Sequence, residues 1–122
     1  MKAGFYPAHP IVENLCNGFW RFVDPLFYDA PDGRSWMIPR GFETDWGSVP
    51  AVVDWIIPRN STQADPAYAL HDLLYRHHSK CRDRADADNI LLNALAVCGV
   101  SWMRRNTIWL AVRAGGWKAW GK

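Results

Sequence analysis

The spacing of apolar residues changes character about halfway along the chain. In the first half it is short and interrupted. Residues 19–28 (FWRFVDPLFY) are aromatic and β-branched and are broken by Pro25; APDG at 30–33 is a turn signal, and SWMIP follows at 35–39. Two such runs around an Asp-Gly turn predict a β-hairpin over 18–40, with Pro25 and Pro39 placed at edges or bulges. Residues 1–17 read as an irregular lead-in, because Pro7 and Pro10 oppose an early helix. GFETDWGSVP at 41–50 has no helical period and reads as a loop. VVDWII at 52–57 suits either a helical turn or a strand, and the loop region extends to 60.

In the second half the period becomes helical, and residues 64–115 predict three helices. The first spans about Asp65 to His78, with Asp65 as N-cap, Pro66 at the first helical position and Tyr68, Leu70, Leu74 and Tyr75 as apolar positions. The second spans about Arg82 to Val97, with Ile90, Leu91, Leu95 and Val97 as its stripe and Gly99 as its stop. The third spans about Trp102 to Ala114 and is stopped by Gly115-Gly116. The short link after the first helix makes it an antiparallel neighbour of the second. The expected fold is α+β: a hairpin, then a mainly helical half, in one domain over 1–122.

Length and composition agree. A chain of 122 residues that is 49% hydrophobic and 21% charged is one ordinary globular core, not a disordered segment. Three cysteines, Cys16, Cys81 and Cys98, form no CxxC, so they read as free thiols or buried fillers. The opening MKAGFYPAHP has no continuous apolar stretch, which predicts no secretion signal, and no apolar run approaches the ~20 residues of a bilayer span.

Charge is distributed unevenly. Residues 1–88 hold all 12 acidic and 9 of the 14 basic side chains; residues 89–122 hold five basic side chains, Trp102, Trp109, Trp117 and Trp120, and no acid. Tryptophan with basic residues suits a phospholipid headgroup surface. Single-stranded nucleic acid is a weaker candidate partner, and a solvated basic helix face is the plain alternative.

The chemistry concentrates in ALHDLLY (69–75) and ADADNILLNAL (85–95). Tyr75 lies one turn after His71 and Asp72, on the same helical patch. An antiparallel neighbour can bring Asp88 level with His71. A buried carboxylate on one imidazole nitrogen fixes the tautomer and leaves the other nitrogen to deprotonate water. Asp86 is a rival for that role. Asp72, with Asp45 and carbonyls of the 41–50 loop, can supply oxygens to Ca²⁺. His77 and His78 are expected to be exposed at a helix end, and Ser48 lacks the context of a nucleophile. The competing reading is a buried His–Asp–Tyr network that only locks two helices together.

The ordered set GFxTDxxSVP, A-x-x-HDxLY and a downstream AD before an apolar helix resembles a family of small phage and prophage proteins of unassigned activity, over roughly residues 18–120. Its HDxxY…AD part is similar to phospholipases A2, especially the short domain of parvovirus capsids. That resemblance implies a phospholipase A2-like fold and a lipid ester hydrolase. In it His71 would be the base, Asp72 a calcium ligand, Tyr75 a support and Asp88 the residue orienting His71. The glycine-rich calcium loop and the disulfide framework of the secreted enzymes are absent from this sequence. The phage resemblance implies action in the host cytoplasm during infection or association with the virion. A non-catalytic virion part, such as a tail or tail-tip component contacting other virion proteins, or a phage–host interaction protein, is the alternative function.

Overall fold

A computed structural model describes residues 3–44 and 64–121. Within them the chain forms six short strands and then a helical half, an α+β architecture. The strands are β1 (Gly4–Tyr6), β2 (Val12–Asn14), β3 (Trp20–Phe22), β4 (Leu26–Asp29), β5 (Ser35–Ile38) and β6 (Glu43–Thr44). They make two antiparallel sheets, ordered β1-β4-β5 and β2-β3-β6.

The hairpin is shorter than expected. β4 and β5 pair from Leu26↔Ile38 to Asp29↔Ser35, and the turn closes with Gly33 N–H on the Ala30 carbonyl. Gly33 has φ +90°, the left-handed position that a turn followed by a bulge demands. Pro25 does not bulge one long strand; it separates two. Trp20–Phe22 leaves the hairpin and pairs with β2 and β6 in the second sheet. The expected irregular lead-in is likewise corrected. Gly4–Tyr6 adds to β4 and Val12–Asn14 adds to β3, so backbone groups of the Pro-punctuated start pair at sheet edges. Glu43–Thr44, expected as loop, is a strand on β3. The rest of the 41–60 region, including Asp45 and VVDWII, lies outside the described residues.

The helices match the expected order. They are α1 (Asp65–Arg76), a 3₁₀ turn (His78–Lys80), α2 (Arg84–Val97), α3 (Trp102–Gly115) and a single turn α4 (Trp117–Trp120). Ala64, not Asp65, caps α1, and no side chain bonds the cap. Asp83 caps α2, its carboxylate accepting from Asp86 N–H at 2.8 Å. Gly99, φ +85°, ends α2 as expected, with Val100 N–H reaching back to the Leu95 carbonyl at 3.0 Å.

α1 is the central element. Its residues from Pro66 to Tyr75 are all buried, because sheet, α2 and α4 pack on different sides of it. Ala67 and Ala69 keep the neighbours close, while Leu70, Leu73 and Leu74 join Leu91 and Leu95 of α2 and Ile108 and Val112 of α3 in one core. The β4–β5 hairpin docks on the α1–α2 connection through two side chains. Trp36 Nε1 donates to the Lys80 carbonyl at 2.7 Å, and the Arg34 guanidinium makes two 2.9 Å bonds to Asp86.

Candidate functional site

Burying α1 on every side forces its polar residues to find partners inside the protein. His71 is 3% exposed, Asp72 6% and Asp88 0%. Tyr75 and His71 on α1 both meet Asp88 on α2. His71 Nε2 lies 2.8 Å from Asp88 Oδ1, and the Tyr75 hydroxyl donates to the same oxygen at 2.5 Å. The two rings lean together with centroids 4.2 Å apart.

The other carboxylate oxygen is also taken. Arg113 of α3 donates to Asp88 Oδ2 at 2.8 Å and Arg84 at 3.4 Å. Arg84 continues to the carbonyls of Val112 and Arg113 near the end of α3, where a cation offsets unsatisfied acceptors. Asp88 therefore takes donors from three helices. Burial pushes its carboxyl up. The bonds from His71 and Tyr75 and the Arg113 contact outweigh that, and the net shift is downward. An ionised Asp88 accepts from Nε2, and Nδ1 is the ring nitrogen not engaged by that carboxylate. Burial, then the Asp88 bond, holds the Tyr75 phenol well above its ordinary value, so it remains a donor.

Asp86 is removed from this group. It bonds Arg34 instead, and that guanidinium holds its carboxyl down at about 2. Asp72 shares a patch with His71, but its Oδ2 accepts from Arg76 at 2.8 Å. Arg76 also donates to the Glu43 carbonyl at 2.8 Å and lies over the Phe42 ring. Calcium needs six to eight oxygens. Asp72 faces a guanidinium, and among the described residues no three His, Cys, Asp or Glu side chains converge. Asp45, the expected second ligand, lies outside the described residues.

His77 and His78 are exposed, as expected. His78 also has a structural task, since its ring stacks on Trp120 at 3.5 Å and Nε2 bonds the Tyr75 carbonyl at 2.9 Å. Trp120 meets the edge of Tyr75 as well. Gly116 packs so closely that an added Cβ would stand 2.6 Å from the Tyr75 hydroxyl.

Sequence reasoning missed Arg84 and Arg113. Arg84 was readable as an i, i+4 partner of Asp88. Arg113 was not, because the local charge pattern placed it with the outward-facing basic residues.

Residues 20–112 match the family described as protein of unknown function, DUF1353. The chain belongs to the DUF1353 family. No curated protein and no solved structure matches it. Among the described residues, no helix is long and apolar enough to cross a membrane.

Proposed function

We propose that this DUF1353 protein is a phage-derived hydrolase of lipid esters in which His71 is the general base and Asp88 its orienting acid, on the pattern of phospholipases A2. The observation that carries the reading is the 2.8 Å contact of His71 Nε2 with Asp88 Oδ1, braced by Tyr75 on the same oxygen. Water at Nδ1 gives that nitrogen its proton while its oxygen attacks the ester carbonyl. The resulting imidazolium, balanced by Asp88, returns the proton to the departing alcohol, leaving a carboxylic acid and a lysolipid. His71 is 3% exposed, so substrate reaches it only after local opening of the packing around it. Action in the host cytoplasm during infection, or from the virion, belongs to the same reading.

A second reading rests on a different observation. Arg84 and Arg113 both engage Asp88 Oδ2 while His71 and Tyr75 meet Oδ1, which ties three helices together and needs no chemistry. On that reading the network stabilises a non-catalytic virion or phage–host interaction protein.

Hydrolysis of phospholipid vesicles by wild type and His71→Ala, with and without EDTA, separates the two. The hydrolase reading expects turnover that survives EDTA and is lost in His71→Ala. Absence of wild-type turnover, or turnover that persists in the variant, overturns it.

A further inference from the structure

The basic, tryptophan-rich end of the chain does not act as one surface. Packing sorts its side chains into two groups. Ile108 and Val112 are buried in the core, Arg113 pairs with Asp88, Trp109 Nε1 bonds Asn89, and Trp120 packs on Tyr75 and His78. A second set is exposed to solvent. Met103, Leu110 and Trp117 are 73%, 60% and 59% exposed, and Trp102 beside them is 68% exposed.

Their spacing makes them one row. Met103, Leu110 and Trp117 recur every seven residues, which is two helical turns. Between α3 and α4 stands one turn residue, Gly116, whose φ of −76° and ψ of −13° keep the backbone in the helical region. Gly116 N–H bonds the Val112 carbonyl at 2.7 Å, and Trp120 N–H bonds the Gly116 carbonyl at 3.0 Å, so the row continues across the junction. Arg104 and Lys118 are exposed and each follows a member of the row by one position, which sets a basic edge along one side of it. Lys118 Nζ stands 5.5 Å over the Trp117 ring. No acidic residue occurs from 89 to 122.

We infer that this outward face of α3 and α4 lies on an anionic lipid surface. The apolar row enters the headgroup boundary and Arg104 and Lys118 meet lipid phosphates. Charge decides between occupants. A second copy would bring the same basic edge against this one with no acid to answer it, whereas an anionic bilayer supplies the complement. The tryptophans suit the interface because they are apolar in body and carry a polar N–H. The inference rests on the lipid part of the function proposed above and not on the chemistry at His71.

Sedimentation with vesicles tests it without any measurement of hydrolysis. The full chain is mixed with vesicles of phosphatidylcholine alone and of phosphatidylcholine with phosphatidylglycerol, at low and high salt. The expected result is co-sedimentation with the phosphatidylglycerol vesicles, weakened by salt. Leu110→Glu should reduce it about tenfold, the order of one leucine's transfer from water. Phe27→Glu, an exposed aromatic on a strand, is the control and should leave binding unchanged. Thermal melts confirm that both variants fold. Failure of wild type to pellet with either vesicle overturns the inference, as does an equal loss in both variants or no loss in Leu110→Glu. Lipid-independent dimers that Leu110→Glu dissolves would assign the face to a second copy instead. Binding without hydrolysis would leave this face standing and count against the His71 chemistry alone.

Discussion

Asp88 and His71, seventeen positions apart in the chain, meet at 2.8 Å with both side chains buried. Asp88 also carries Tyr75, Arg84 and Arg113. Removing its charge leaves the partly buried guanidiniums of Arg84 and Arg113 without their carboxylate. Asp88→Asn is expected to cost about 3–5 kcal/mol, the usual penalty for breaking a buried ion pair from one side. Urea unfolding measures it, and a loss under ~1 kcal/mol would show that Asp88 is not the shared anchor of the three helices.

Arg76 answers the Asp72 charge where a metal ion was expected. Its side chain is 40% exposed, so solvent weakens the pair. Arg76→Gln is expected to destabilise by about 1 kcal/mol or less for that reason. Millimolar calcium should leave the wild-type melting temperature unchanged, because Asp72 already holds a cation. A calcium-dependent rise in wild type would show that the guanidinium does not exclude the ion.

Asp65 gives a pH dependence of defined sign. Burial raises its carboxyl to about 6. An unfolded aspartate titrates near 3.9. The folded state therefore binds the proton more tightly, and this contribution is whole below pH ~4 and is lost as pH rises through about 6. Asp65→Asn should remove that loss and stabilise the protein above pH 6 by about 1–2 kcal/mol, the shift being partly offset by losing an acid at a helix start. Denaturation midpoints of wild type and variant should converge near pH 4. A constant difference across that range would exclude titration of Asp65 as the cause.

Gly116 is required for room and not for backbone freedom. Its φ of −76° is ordinary, but a Cβ there would stand 2.5 Å from the Val112 carbonyl and 2.6 Å from the Tyr75 hydroxyl. Gly116→Ala is expected to cost about 1–3 kcal/mol by pushing α4 off Tyr75. Exposure of Trp120 should rise with it, read as a red shift in fluorescence. An alanine variant as stable as wild type would mean that α4 is loosely held.

The helical half and much of its site were legible because helical order is local. The apolar spacing of 65–97, the Gly99 stop and the short link after α1 follow from contacts within a few residues. Together they brought the start of α2, with Asp88 and its rival Asp86, level with His71, and the structure chose Asp88. Two readings failed where the deciding contact was distant. Pro25 was taken to interrupt one strand, yet Trp20–Phe22 pairs with Val12–Asn14 and Glu43–Thr44. Arg113 read as outward charge, yet it turns in to Asp88.

Local pattern thus settled the α+β class and the three main helices and narrowed the partner of His71 to Asp88 or its rival Asp86, since each is written in residues a turn or two apart or joined by one short link. Tertiary packing alone decided the sharing of strands between two sheets, the arginines on Asp88, the guanidinium facing Asp72 and the split of the tryptophans between core and solvent. Those outcomes depend on which surfaces are taken out of water together, and a one-dimensional pattern does not record that.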